Sequence, residues 1–235
     1  MKKLLFVSLL GFMILGTVVI AQSYASPFPE TEKNLLAAVT GETQANANYL
    51  AFAKVADKEH HKEIARIFRA ISDAELKHAL DEFEILKVLN PAAVKPTPGA
   101  VSTGTTKQNL QAAVNGETYE YTVMYPDFVA AAEAESATDA RRIFNYARRA
   151  EEVHAGIYAD LLKNINNFDK IKYAKVYRCQ ICGNIILTTA VNCPFCGEKA
   201  ENLVEYEIVQ DDGFGCNFGF SLFAFLFIPL LLYFK

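Results

Sequence analysis

Cysteine is scarce in this chain and absent before residue 179. Four of the five stand as two Cys-x-x-Cys pairs, Cys179/Cys182 and Cys193/Cys196, with Cys216 apart. That placement excludes a disulfide framework spread through the fold and reads as metal ligation. An excess of positive charge is also missing. With 23 Lys and Arg against 27 Asp and Glu, the formal net charge of −4 excludes the basic surface that nucleic-acid binding requires. Function therefore has to be sought in particular side chains. Histidine numbers only 4, and two of these form the strongest pattern in the sequence.

Glu75-Leu76-Lys77-His78 and Glu151-Glu152-Val153-His154 each lie in a long stretch of helical periodicity. On a helix, positions i and i+3 share a face, so each motif presents a carboxylate and an imidazole in one direction. Glu42 in Gly-Glu-Thr-Gln and Glu117 in Gly-Glu-Thr-Tyr each sit about one helix upstream of such a motif. One Glu from each of two helices plus Glu-x-x-His from each of two others is the donor set of a dinuclear carboxylate site in a four-helix bundle. The stripes Leu35-Ala38-Glu42-Ala45-Tyr49, Ile64-Phe68-Ile71-Glu75-His78, Leu110-Ala113-Glu117-Glu120-Met124 and Ile143-Ala147-Glu151-His154-Tyr158 carry these groups among apolar residues. Unpaired buried charge is very costly, and metal coordination removes most of that cost. An internal repeat agrees. Ala38-Val39-x-Gly41-Glu42-Thr43 recurs at Ala113 to Thr118, and Arg66-Ile67-Phe68 recurs at Arg142 to Phe144. Each half is thus a helix pair supplying half a site. The repeat breaks at Glu120, which stands where the first half has Ala45. His60 and His61 fall at a turn and read as surface residues.

Between the motifs, the first helix is expected from near Thr31 to about Asp57, and the second ends at Asn90-Pro91. Residues 90 to 106 are rich in Pro, Gly, Ser and Thr. Extended, they reach on the order of 50 Å, enough for the long crossover of a ferritin-like bundle. Thr105-x-x-Gln108 offers a capping box for the third helix, which Pro126 must disturb, and the fourth runs from about Thr138 to Lys163, followed by a polar linker from Asn164 to Lys170. The reading is mainly α: a ferritin-like four-helix bundle over 30–165, then a small β unit over 171–210 holding a four-cysteine metal site. Residues 1–25 read as an export signal or N-terminal anchor, and 214–235 as an apolar membrane anchor or sorting tail. Location at the cell envelope, with membrane association through the termini, follows from those two ends.

Taken together, the Glu-x-x-His pair, the two Gly-Glu-Thr motifs and the ordered cysteine knuckles resemble the rubrerythrin family, in which a ferritin-like di-iron domain is joined to a rubredoxin-like domain. Gly116-Glu117-Thr118-Tyr119-Glu120-Tyr121-Thr122 with Met124-Tyr125-Pro126 looks like that family's third helix. The resemblance implies that Glu75 and Glu151 bridge two irons. It makes Glu42 terminal on one and Glu117 with His154 terminal on the other, with His78 and Glu120 exchanging on the first as oxidation state changes. It matches Tyr49 and Tyr125 to tyrosines that hydrogen-bond ligating carboxylates. It further implies hydrogen peroxide as substrate, an iron in the four-cysteine site relaying electrons from an unidentified redox donor, and a head-to-tail homodimer. Only ten residues separate Cys182 from Cys193, fewer than is usual in that family, which keeps zinc as the alternative metal. A ferroxidase or iron-handling role is the competing function.

Overall fold

The structure, a computed structural model, describes residues 25–170, 172–189 and 192–209. The expected N-terminal signal or anchor and the C-terminal tail lie outside the described residues. Among the described residues no helix is long and apolar enough to cross a membrane.

Helices α1 (Pro29–Lys58) and α2 (Lys62–Leu89) pack along each other as a hairpin. The turn between them is three residues, with His60 left-handed (φ 65°) and exposed. α1 begins two residues before the expected Thr31, because Pro29 stands in its first turn, where a missing N–H costs nothing. No local side chain caps it. Instead Glu135 accepts from the Glu30 and Thr31 N–H groups at 3.0 and 2.8 Å.

The crossover then runs the length of α1. Asn90 Nδ2 donates to Glu32 at 2.8 Å, Gly99 N–H to Gln44 at 2.7 Å, and Thr106 N–H to Glu59 at 2.9 Å, so the segment touches the start, middle and end of that helix. Beyond it, α3 (Thr106–Tyr119) opens on the Thr105/Gln108 capping box. A π-helical turn, Glu120–Met124, follows and leads into α4 (Tyr125–Ala134). Pro126 lacks the N–H that a continuous α-helix would need, and the wider turn absorbs the defect. The disturbance anticipated at Pro126 therefore lies upstream of it. α5 (Thr138–Asn164) packs against both α3 and α4. The expected polar linker is a 3-10 helix, Ile165–Lys170, anchored by buried Ile165.

Two apolar clusters fill the bundle on either side of the acidic stripe. Tyr49, Phe52, Phe68, Leu110 and Tyr158 belong to one, and Leu35, Leu86, Tyr125 and Phe144 to the other. The rest is a small antiparallel sheet, β1 (Tyr177–Cys179), β2 (Ile185–Ile186) and β3 (Leu203–Glu205), in the order β2-β1-β3. Tyr177 pairs with Ile186 on one side and Glu205 on the other. This unit docks on α2 and α5. Tyr206 donates to Asp73 at 2.7 Å, Arg66 donates to the Tyr173 carbonyl at 2.7 Å, and Arg149 lies 4.4 Å over the Phe195 ring.

Candidate metal centres

Helical spacing and the repeat bring the acidic stripes together at mid-bundle. Two groups of four donors form, Glu42, Glu75, His78 and Glu151 in one and Glu75, Glu117, Glu151 and His154 in the other. Within each group one donor atom per residue lies within 4.8 Å of the rest. Glu75 and Glu151 belong to both. Each of these six side chains is at least nine-tenths buried. His154 Nδ1 is 2.7 Å from Glu151, 3.4 Å from Glu75 and 3.5 Å from Glu117. His78 Nδ1 is 2.9 Å from Glu151, 3.2 Å from Glu75 and 4.0 Å from Glu42.

The hydrogen-bond accounting of this cluster does not close with protein atoms alone. Glu42 Oε2, both oxygens of Glu75, Glu117 Oε2, Glu151 Oε1 and His78 Nδ1 are buried without a hydrogen-bond partner. A buried polar atom left unpaired costs about 1–3 kcal/mol, and more if charged. Cations between the two groups would satisfy all six at once, so the donor set fits a pair of metal ions. The proton affinities point the same way. Burial, then the charges of Glu151 and Glu75, push Glu42 well above the usual carboxylate range, and burial with Glu75 and Glu151 does the same to Glu117. Burial would lower His78 and His154, but the surrounding carboxylates, Glu151 and Glu75 foremost, raise both. Glu151 is driven down by His78 and His154 in spite of its burial. Protons thus stand where positive metal charge would otherwise balance the carboxylates.

The two expected tyrosines hold carboxylates from outside. Tyr49 donates to Glu117 at 2.6 Å, and Tyr125 hydrogen-bonds Glu42. Tyr49 lies seven residues after Glu42 whereas Tyr125 lies eight after Glu117, and the π turn supplies the additional residue that brings Tyr125 into the matching place. Glu120 is the exception among the seven expected donors. It opens the π turn, is only partly buried and belongs to neither group of four, although burial and the charges of Glu151 and Glu75 raise its pKa.

One buried carboxylate beside the donor cluster was not anticipated. Glu82, 1% exposed on α2, receives a hydrogen bond from Tyr125 at 2.8 Å. Its signal in the sequence is its place four residues after His78, on the same helix face. The internal repeat hides it, because the matching position four residues after His154 is Tyr158.

The second centre is the cysteine cluster, whose four sulfurs lie within 4.8 Å of one another. Cys179 and Cys196 sulfurs are 3.5 Å apart, and those of Cys182 and Cys193 3.6 Å. Disulfides require about 2.05 Å. Thiolates around one tetrahedral metal at about 2.3 Å sit roughly 3.8 Å apart, close to what is observed. Each knuckle closes on a left-handed glycine, Gly183 (φ 73°) and Gly197 (φ 78°), whose N–H groups donate to the Cys179 and Cys193 carbonyls.

The centres meet through one knuckle. His78 Nε2 donates to the Cys182 carbonyl at 3.2 Å, and His154 Nε2 to that of Gly183 at 3.4 Å. These bonds orient each ring so that Nδ1 is the nitrogen that faces the carboxylates and would be free to bind a metal ion. A Cβ at Gly183 would collide with the His78 ring. Cys182 therefore joins the two donor sets through one residue, one hydrogen bond and one imidazole. The proximity that a head-to-tail pair would supply is already present within a single chain.

Comparison with known proteins agrees with this architecture. A family model described as rubrerythrin matches residues 33–162. Nigerythrin of Nitratidesulfovibrio vulgaris is 38% identical over 177 residues, covering 75% of this chain and 86% of that protein. Rubrerythrin-2 of Clostridium acetobutylicum is 35% identical over 170 residues, 71% of this chain and 91% of that one. The solved structure of fully reduced, all-ferrous nigerythrin superposes with a TM-score of 0.71 at 36% identity, over 81% of this chain and 91% of that chain.

Proposed function

This chain belongs to the rubrerythrin family, and on that premise we propose that it reduces hydrogen peroxide to water at a di-iron site, with electrons delivered through an iron held by its own four cysteines. The family is one of di-iron oxidoreductases, and both donor sets fit iron. Two ferrous ions bound among the carboxylates would supply the electron pair that splits the O–O bond. Glu75 and Glu151, shared by both groups of donors, would hold both ions. Glu42 and His78 complete one side, Glu117 and His154 the other. Tyr49 and Tyr125 hold Glu117 and Glu42 in orientation, and the flanking aromatic clusters keep bulk water out.

The observation that carries this reading is the contact of His78 with Cys182. A ferritin-like bundle that only stored or oxidised iron has no need of a thiolate site placed one hydrogen bond from its histidine. A route of one residue, one hydrogen bond and one ring suits repeated single-electron transfers, two per peroxide.

A ferroxidase role is the second reading, favoured by Glu120 standing outside both groups: the other six form a complete dinuclear set without it. Glu120→Ala separates the two. We expect the variant to bind iron and keep its fold, to reduce peroxide at least roughly tenfold more slowly, equivalent to about 1.4 kcal/mol of barrier, and to oxidise ferrous iron with oxygen with less change. Peroxide turnover at the wild-type rate with the same donor would favour the ferroxidase instead.

A further inference from the structure

The six donors of the carboxylate pocket are each at least nine-tenths buried, so a substrate needs a way through the wall of the bundle. An opening lies between α2 and α5. A cavity of about 10 Å³, on the order of one water, is bounded there by His78, Asp81, Glu82, Tyr146 and Ile181. It has a dry end and a wet end. His78 and Glu82 are 4% and 1% exposed, whereas Asp81 and Tyr146 are only partly buried and Ile181 is 42% exposed. The dry end abuts His78, on the side of the pocket that it shares with Glu42.

The lining suits a small polar molecule. Glu82 Oε2 is buried without a hydrogen-bond partner, and a carboxyl group offers a passing hydroxyl a hydrogen bond whichever protonation state it holds. Asp81, ion-paired with Lys77, and Tyr146 add polar groups nearer the surface. Width is set by Ile181. It stands between Cys179 and Cys182, in the knuckle whose Cys182 carbonyl lies 3.2 Å from His78 Nε2, so the contact that joins the two centres also lays this branched side chain across the mouth. A β-branched residue is stiff at χ1 and yields little. Hydrogen peroxide is no wider than water when it travels along its O–O axis, and it passes end-on where one water fits. A hydroperoxide with a branched alkyl group has the same O–O bond but a much wider body.

We propose that hydrogen peroxide reaches the carboxylate pocket through this cavity, and that Ile181 is a specificity-determining residue that admits hydrogen peroxide and turns away bulky alkyl hydroperoxides. This rests on the peroxide reading of the site. The cysteine knuckle then serves the pocket twice: Cys182 faces His78, and Ile181 screens the approach to it. Tyr146 bounds the same cavity from α5 and gives a second handle on its width outside the cysteine motif.

The test uses the full chain with iron in both sites and two readouts. In anaerobic stopped-flow measurements on the reduced protein, Ile181→Ala should raise the rate with tert-butyl hydroperoxide at least roughly tenfold and the rate with hydrogen peroxide by less than about threefold. Ile181→Trp and Tyr146→Trp should each slow hydrogen peroxide at least roughly tenfold. The second readout does not involve turnover: it is the rate at which azide, a slender anion, binds the oxidised protein, followed by its charge-transfer band. Both Trp variants should slow azide by the same factor as peroxide, with the visible spectrum of the four-cysteine iron unchanged. An unchanged preference between the two peroxides in Ile181→Ala would overturn the role of Ile181. Trp variants that slow peroxide but not azide would overturn the entry route, because the effect would then lie in electron delivery. A wild type whose azide binding is slowed by the Trp variants but which reduces no hydrogen peroxide would overturn the proposed function, and with it the assignment of peroxide as what enters.

Discussion

At the scale of single residues, the fold is governed by a conflict that the protein alone does not resolve. Carboxylates that packing forces into one dry pocket need positive charge, and in the metal-free chain only protons can supply it. Glu42 and Glu117 are raised far above 4.5 and His78 and His154 above 6.5, so the folded state holds protons that the unfolded chain has released near neutrality. Their contribution to stability is fully present below those unfolded values and is lost as pH rises through the folded ones. Glu151, held low, contributes above 4.5 and loses its part only in acid. The net sign between mildly acidic and alkaline pH is therefore negative. Thermal melts should show metal-free protein losing stability as pH rises from about 6 to about 9, and iron-loaded protein changing much less, with protons released on loading. A metal-free protein that gains stability over that range would contradict the balance described here. Six of the donors were legible in the sequence because residue type, i,i+3 spacing and the repeat converge on them. Glu82 was not, since whether a carboxylate four residues beyond His78 is buried depends on the neighbours that α4 and α5 bring.

At the scale of elements, what could be read depended on how local the cause was. The capping box of α3 lies within four residues and was visible as Thr105-x-x-Gln108. The cap of α1 comes from Glu135, more than a hundred residues away, and no local pattern reports it. The π turn is intermediate: Pro126 announces a defect, but only the position of Tyr125 shows where the additional residue is absorbed. Although partial burial works against it, the Thr31 and Glu30 N–H groups hold the Glu135 carboxyl below its ordinary 4.5. A depressed carboxylate stabilises above its unfolded pKa and loses that contribution as pH falls through the folded value. Glu135→Ala should thus cost about 1 kcal/mol in denaturant titrations at neutral pH, the usual size for a cap, and much less well below pH 4.5. An equal cost at both would show that the carboxylate charge is not what holds the start of α1.

At the scale of the molecule, the central feature is that the four-cysteine unit sits over the acidic pocket of its own chain. Both histidine rings are oriented by carbonyls of that knuckle, and Gly183 is what lets it approach. The two metal-binding units were each readable from spacing, but their juxtaposition was not, because it is made by scattered contacts such as Tyr206 with Asp73 and Arg149 with Phe195. If that docking is functional, the thiolate site must lose its electron when the pocket meets peroxide. Fully reduced, iron-loaded protein should be mixed with excess hydrogen peroxide in an anaerobic stopped-flow instrument while the ferric-thiolate colour is followed. The colour should develop in every chain as peroxide is consumed, at a rate that does not fall on dilution and that collapses when Glu75 is replaced by Ala. Peroxide consumed while the four-cysteine iron stays reduced, or colour developing equally fast in Glu75→Ala, would contradict it.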